Sequence, residues 1–195
     1  MNINHLENSR VRLSLLDLSN YTHLQNIANQ KDLVQYSPTD IATPETFREY
    51  VQTAVDGYYH RTCIPFVVYD KKEKAYAGCT RFMNINVKHK VLDIGSTWLG
   101  YEFHGTGLNK QMKFLMLHYA FEVMNFEKVE FKIDERNLKS RKAVENLGAL
   151  LEGTLRKNVY LLDGFKRNTC CYGILKDEWD VLKRTVFKDF ELESH

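Results

Sequence analysis

The chain has 195 residues, 44% hydrophobic and 27% charged, with a net charge of +2 from 27 basic and 25 acidic side chains. That length suffices for one well-buried core, and a single unit over residues 1–195 is the expectation. The near-balance of charge lacks the basic excess of a nucleic-acid binder, so no direct nucleic-acid partner is expected. No apolar run approaches the length of a membrane span, and Met1–Arg12 is polar without a signal-peptide core, so no membrane partner is expected either.

In chain order, Arg10–Leu16 alternates as a first strand, and Asp17–Gln30 places Leu18, Tyr21, Leu24 and Ile27 at helical spacing. Thr43-Pro44 reads as a helix start, followed by a stripe of Phe47, Tyr50, Val51, Ala54 and Tyr58. Ile64–Tyr69 and Tyr76–Met83 read as strands about the polar turn Lys71–Lys74. Leu92, Ile94, Ser96 and Trp98 share one face of the next strand. A long helix follows, with Leu108, Met112, Leu115, Met116, Tyr119 and Val123 on one side.

Val129, Phe131 and Ile133 alternate with charges as a strand. Ala143, Val144 and Leu147 mark a short helix that stops at Gly148. Asp163-Gly164 turns a closing hairpin whose return strand is Cys170–Leu175, and Asp177–Phe190 reads as a last helix that docks on the body or on a second copy. This order is α/β with a mixed sheet. Cys63, Cys79, Cys170 and Cys171 lack C-x-x-C spacing and read as thiols of a reducing cytoplasm, with no metal site expected.

The segment carrying chemistry is His104-Gly105-Thr106-Gly107-Leu108-Asn109-Lys110, between a strand and a helix. The first amides of a helix lack intrahelical partners and sit at its positive end, and glycines let a ligand approach them. Such a loop suits a pyrophosphate; the plainer alternative is a chain merely turning into a helix. It is neither the Walker pattern, since no G-K-[ST] follows, nor the dinucleotide fingerprint, since the third glycine is missing.

About thirty residues on stand Asn137-Leu138-Lys139-Ser140 and then Glu145-Asn146-Leu147-Gly148-Ala149. With the glycine loop, this resembles the GNAT superfamily of N-acetyltransferases, whose motif Gln/Arg-x-x-Gly-x-Gly/Ala is followed by a strand, an Asn and a short helix. Asn-x-x-Ser, then Leu151–Arg156, is similar to the branch of Rim-type ribosomal-protein N-terminal acetyltransferases. The resemblance runs from about Arg10 to Trp179 and is specific from Asp93 onward. Two positions depart from the motif: His104 replaces Gln/Arg, and Asn109 the second small residue.

The resemblance implies a mixed, mostly antiparallel sheet of about seven strands flanked by helices, splayed between its fourth and fifth strands, Asp93–Leu99 and Val129–Ile133. Acetyl-CoA would fill the gap. Backbone groups of Thr97, Trp98 and Leu99 would pair with its pantetheine arm, and His104, Gly105, Thr106, Gly107, Leu108, Asn109 and Lys110 would hold the pyrophosphate. His104 would donate to a phosphate oxygen, Asn137 would bond the cofactor arm, and Ser140 would serve the departing thiolate. Some relatives carry a catalytic Glu and Tyr where this chain has Lys132 and Val144, which leaves Asp93 and, behind it, Glu102 in the loop as the nearest carboxylates.

The acceptor implied is a primary amine, on a protein N-terminus or a small molecule, in a pocket lined by Tyr36, Tyr58, Tyr59, Phe66 and Tyr160. A homodimer is compatible with this reading. Asn137 also reads as a plain helix cap and Trp98 as plain core. A non-catalytic acyl-CoA sensor or an interaction module is the alternative function.

Overall fold

The computed structural model describes Ile3 and residues 5–190. Its strands are β1 (His5–Glu7), β2 (Val11–Leu15), β3 (Ile64–Asp70), β4 (Ala75–Asn86), β5 (Val91–Leu99), β6 (Lys128–Asp134), β7 (Leu150–Tyr160) and β8 (Lys166–Leu175). The helices are α1 (Gln25–Ala28), α2 (Pro44–Tyr59), α3 (Leu108–His118), α4 (Leu138–Glu145) and α5 (Lys176–Thr185). The eight strands form one sheet in the order β1-β2-β3-β4-β5-β6-β8-β7. Neighbours are antiparallel except β5 and β6, which run parallel. The strand beyond the seven expected is β1, whose three residues are too few to show an alternation.

The two faces of the sheet have different covers. Phe82 on β4 stacks on Tyr119 beyond α3, and Arg141 of α4 donates to the Tyr172 hydroxyl on β8, so α3 and α4 share a face. There α5 lies against α3 through Trp179, which packs on Phe114 and Phe121 and donates to Glu122 at 2.9 Å. The closing segment therefore docks on the body, with Phe187 buried against Phe114. The opposite face takes α2 through Phe47, Tyr50, Val51 and Ala54, the stripe that helical spacing predicts. Thr43 starts α2 by accepting from the Thr46 amide at 3.2 Å while Thr46 Oγ1 accepts from the Thr43 amide.

Two expected elements come out differently. Asp17–Gln30 yields a 3₁₀ turn at Tyr21–Leu24 and only four α-helical residues, because Asn20 binds the Leu15 carbonyl and the Asp17 amide, and Asp17 binds the Ser19 amide. Such side-chain bonds offer the backbone an alternative to helix. The long helix passes into a π turn at Tyr119–Val123, which shifts its phase and leaves Val123 exposed.

Candidate active site

Strands β5 and β6 pair at three positions, Val91 with Lys128, Leu92 with Val129 and Asp93 with Glu130. Pairing then stops, although β5 continues to Leu99 and β6 to Asp134. Beyond Asp93, β5 stays laddered to β4, and its other edge borders an opening in the sheet.

Within this stretch β5 bulges. Arg81 faces Gly95 and Cys79 faces Trp98, so β5 uses one residue more than β4, and Ser96 takes a φ of 46°. The bulge inverts the alternation. Ile94, opposite Phe82, points toward α3, whereas Trp98 packs on Phe47 and Tyr50 of α2. Ser96 and Trp98 thus do not share the face of Leu92 and Ile94, contrary to strict alternation. Thr97 points toward α3, where Lys113 Nζ donates to its hydroxyl at 2.8 Å.

From Gly100 the chain makes a 3₁₀ turn at Tyr101–Phe103 and enters α3 through the glycine loop. Gly105 and Gly107 have φ of 75° and 86°, and an added Cβ would meet no atom within 4 Å at either. Backbone angle rather than crowding therefore selects glycine here. Side chains around the loop are already engaged. His104 Nε2 lies 2.9 Å from the Leu99 carbonyl, and Lys139 Nζ lies 2.7 Å from His104 Nδ1. An ammonium only donates, so Nδ1 accepts and Nε2 donates to Leu99.

Burial, then the charge of Lys139, lowers the His104 pKa, in the direction of the neutral ring. In this arrangement His104 has no N–H free for a phosphate, and Lys139 is the cation beside it. Thr106 Oγ1 donates to the Phe103 carbonyl at 2.8 Å. Lys110 Nζ lies over the rings of Phe187 and Phe190, Leu108 is buried and Asn109 half-buried. The loop's means of holding an anion are thus chiefly its backbone amides.

Asn137 caps α4, accepting from the Ser140 amide at 3.1 Å, and both side chains are half-buried. Asp93 is 5% exposed and stands at the last paired position before the opening. It accepts from Asn84 at 2.7 Å and from Lys132 at 2.9 Å. Burial raises its pKa, and the bonds from Lys132 and Asn84 oppose that rise without cancelling it. Asp93 shares the sheet face of Glu130 and Lys132, whereas α4 packs on the other face, so Asp93 and Ser140 approach the opening from opposite sides.

On the α2 side a cleft of about 370 Å³ lies against the bulge, lined by Asp40, Glu49, Tyr50, Arg81, Met83 and Ser96 among others. The Tyr50 hydroxyl lies 3.4 Å from the Ser96 carbonyl and accepts from Trp98 Nε1 at 3.3 Å, and burial pushes its pKa up. The aromatics expected around the acceptor do not line this cleft: Phe66 is fully buried, Tyr59 and Tyr160 are exposed, and Tyr36 and Tyr58 are half-buried outside it. The sequence signal for this cleft was Arg81, a charge in the middle of an apolar strand.

Comparison with known proteins fits this geometry. A family profile described as an acetyltransferase (GNAT) domain matches residues 10–150. The Bacillus subtilis (strain 168) protein named "Putative ribosomal N-acetyltransferase YdaF" is 30% identical over 103 residues, 53% of this chain and 55% of that one. The match thus spans about half the length of that curated relative. A crystal structure of a T. thermophilus protein superposes with a TM-score of 0.87 at 30% identity, over 98% of this chain and 99% of that one. A Vibrio cholerae spermidine N-acetyltransferase, solved with CoA and spermine, shares the fold with a TM-score of 0.73 at 20% identity, over 88% of this chain and 99% of that one.

Proposed function

We propose a reaction whose premise is that the chain belongs to the GNAT acetyltransferase family: acetyl passes from acetyl-CoA directly to a primary amine held in the same complex. The observation that carries this reading is the opening that starts at Asp93 and lies beside the turn of Gly105 and Gly107 into α3. In this reading the α3 amides bind the pyrophosphate, with Lys139 beside them. The pantetheine arm lies along Thr97, Trp98 and Leu99, taking the Leu99 carbonyl in place of His104. Asn137, whose oxygen is committed to the cap, offers its Nδ2 to the arm. The amine enters neutral from the α2 side, attacks the thioester carbon and displaces the thiolate, which takes up the proton the nitrogen loses while Ser140 supplies it a hydrogen bond from the other face.

No strong base is assigned at the bulge in this reading. Lys132 and Val144 stand where some relatives carry a Glu and a Tyr, and Asp93 is bound to Lys132. Positioning supplies most of the acceleration in such a site. It favours an α-amine, which costs only about 1 kcal/mol to neutralise at pH 7, against roughly 4.6 kcal/mol for a lysine side chain.

The test is the thermal midpoint with acetyl-CoA, with CoA and ATP as comparisons. Acetyl-CoA at a hundred times its Kd is expected to add about 2.7 kcal/mol and several degrees, with no effect of ATP. No shift at saturation would reduce the loop to a helix start. The substitutions at Lys132 and Val144 favour one other reading, a sensor that binds acyl-CoA without turnover. Thiol release with a panel of amines separates it from the enzyme.

A further inference from the structure

Arg81 projects from β4 into the cleft beside the bulge and is 6% exposed. A guanidinium is charged at any pH the protein meets and has five N–H donors. Its Nη2 donates to the Tyr50 carbonyl at 3.3 Å, its plane covers the Tyr50 ring at 3.9 Å, and its Nε has no hydrogen-bond partner among the described residues. No ion pair described in the chain includes it, although Asp40 and Glu49 line the same cleft. Glu49 is exposed and Asp40 half-exposed, so the cleft has carboxylates toward solvent and an uncompensated cation in its floor.

A buried charge without a counter-charge is costly, and that cost falls when an oxygen acceptor arrives. We infer that the acceptor amine carries a carboxylate or carbonyl oxygen on the neighbouring carbon, and that Arg81 binds this oxygen. The chemistry is that of an α-amino acid unit, either free or as the first residue of a chain. Asp40 and Glu49 attract its ammonium from solvent, Arg81 fixes its oxygen, and Ser96 of the bulge places the nitrogen at the opening between β5 and β6. A polyamine also suits the two carboxylates, but it sets a cation against Arg81 and leaves Nε unbonded, an arrangement that selects against it. The inference rests on the acetyl-transfer reading and narrows its substrate.

The experiment follows thiol release from acetyl-CoA by the intact protein with alanine, dialanine, ethylamine and spermidine, for wild type, Arg81→Lys and Arg81→Gln. Wild type is expected to prefer alanine or dialanine over ethylamine by at least about a hundredfold in kcat/KM, because a site with a buried donor rejects the analogue that lacks its acceptor. Preference for alanine identifies a free amino acid, and preference for dialanine a chain terminus. Arg81→Gln is expected to raise KM for the preferred acceptor at least about tenfold and collapse its ratio to ethylamine, with Arg81→Lys between the two.

Retained stabilisation by acetyl-CoA shows that the variants are folded. Binding of alanine and dialanine to the CoA complex, followed through Trp98 fluorescence, gives a readout independent of chemistry. Binding that depends on Arg81 without thiol release overturns acetyl transfer, and the acceptor role with it, and leaves Arg81 only as the site that binds the oxygen. Turnover of spermidine or ethylamine as fast as of the oxygen-bearing amines, or a KM indifferent to Arg81→Gln, overturns the inference and leaves acetyl transfer standing.

Discussion

Lys113 is 4% exposed on the sheet side of α3, and its ammonium is bonded to Thr97 at 2.8 Å and Thr80 at 3.4 Å. Burial pushes its pKa from 10.5 down to about 7. Between those two values the unfolded chain holds a proton that the folded chain has released, so folding stability rises with pH across that window and is flat below it. Lys113→Met is expected to abolish this rise and to stabilise the protein at pH 7 by on the order of a few kcal/mol, since Thr80 and Thr97 also bond each other at 2.7 Å. Urea unfolding at pH 7 and pH 9.5, for both proteins, checks the sign.

At the reacting centre, Ser140→Ala and Asp93→Asn test how much positioning contributes. Each is expected to keep turnover within about a hundredfold of wild type, and a loss beyond about a thousandfold in a folded variant would make that residue a principal chemical group. Neither Arg81 nor Lys113 could be assigned a setting from sequence. Periodicity gives the face a side chain occupies, not whether a counter-charge waits there.

Elements with caps and long stripes were legible. Thr43-Pro44 and the stripe from Phe47 to Ala54 foretold α2 because the start signal and the spacing agree. The same logic applies to Asn137, which is a cap in the structure and a cofactor ligand in the proposed reaction. Asn137→Ala is expected to lower stability by about 1 kcal/mol through the cap and also to weaken acetyl-CoA binding. A stability loss with unchanged affinity, measured by calorimetry, would leave it a cap alone. Gly107→Ala meets no steric obstacle but must hold a φ of 86°, so a loss of about 1 kcal/mol is expected from unfolding curves. The bulge at Ser96 was hidden because one inserted residue leaves composition untouched while it moves Trp98 to the opposite face. Val123 was misplaced for a related reason, since a π turn changes the helical period without a proline or glycine to announce it.

At the scale of the molecule, the mixed sheet followed from the order of strands and helices, whereas the opening was implied only by the family resemblance that the glycine loop and Asn137-Leu138-Lys139-Ser140 carry. The cleft proposed for the acceptor was not legible as a site, since it gathers Asp40, Glu49, Arg81 and Ser96 from four separate segments, of which only the charge of Arg81 inside an apolar strand stands out locally.

The three residue pairs joining β5 to β6 have a consequence for cooperativity. They are the sheet's seam between β1–β5 and β6–β8, and each side is laddered internally by antiparallel pairing. Native-state hydrogen exchange should resolve two protected blocks along that seam, with amides of β5 beyond Asp93 exchanging through a smaller opening than those of β3 and β4. A ligand lying in the opening would bridge both blocks. Acetyl-CoA is therefore expected to slow exchange on β6 and β8 as well as at the glycine loop, merging two units of unfolding into one.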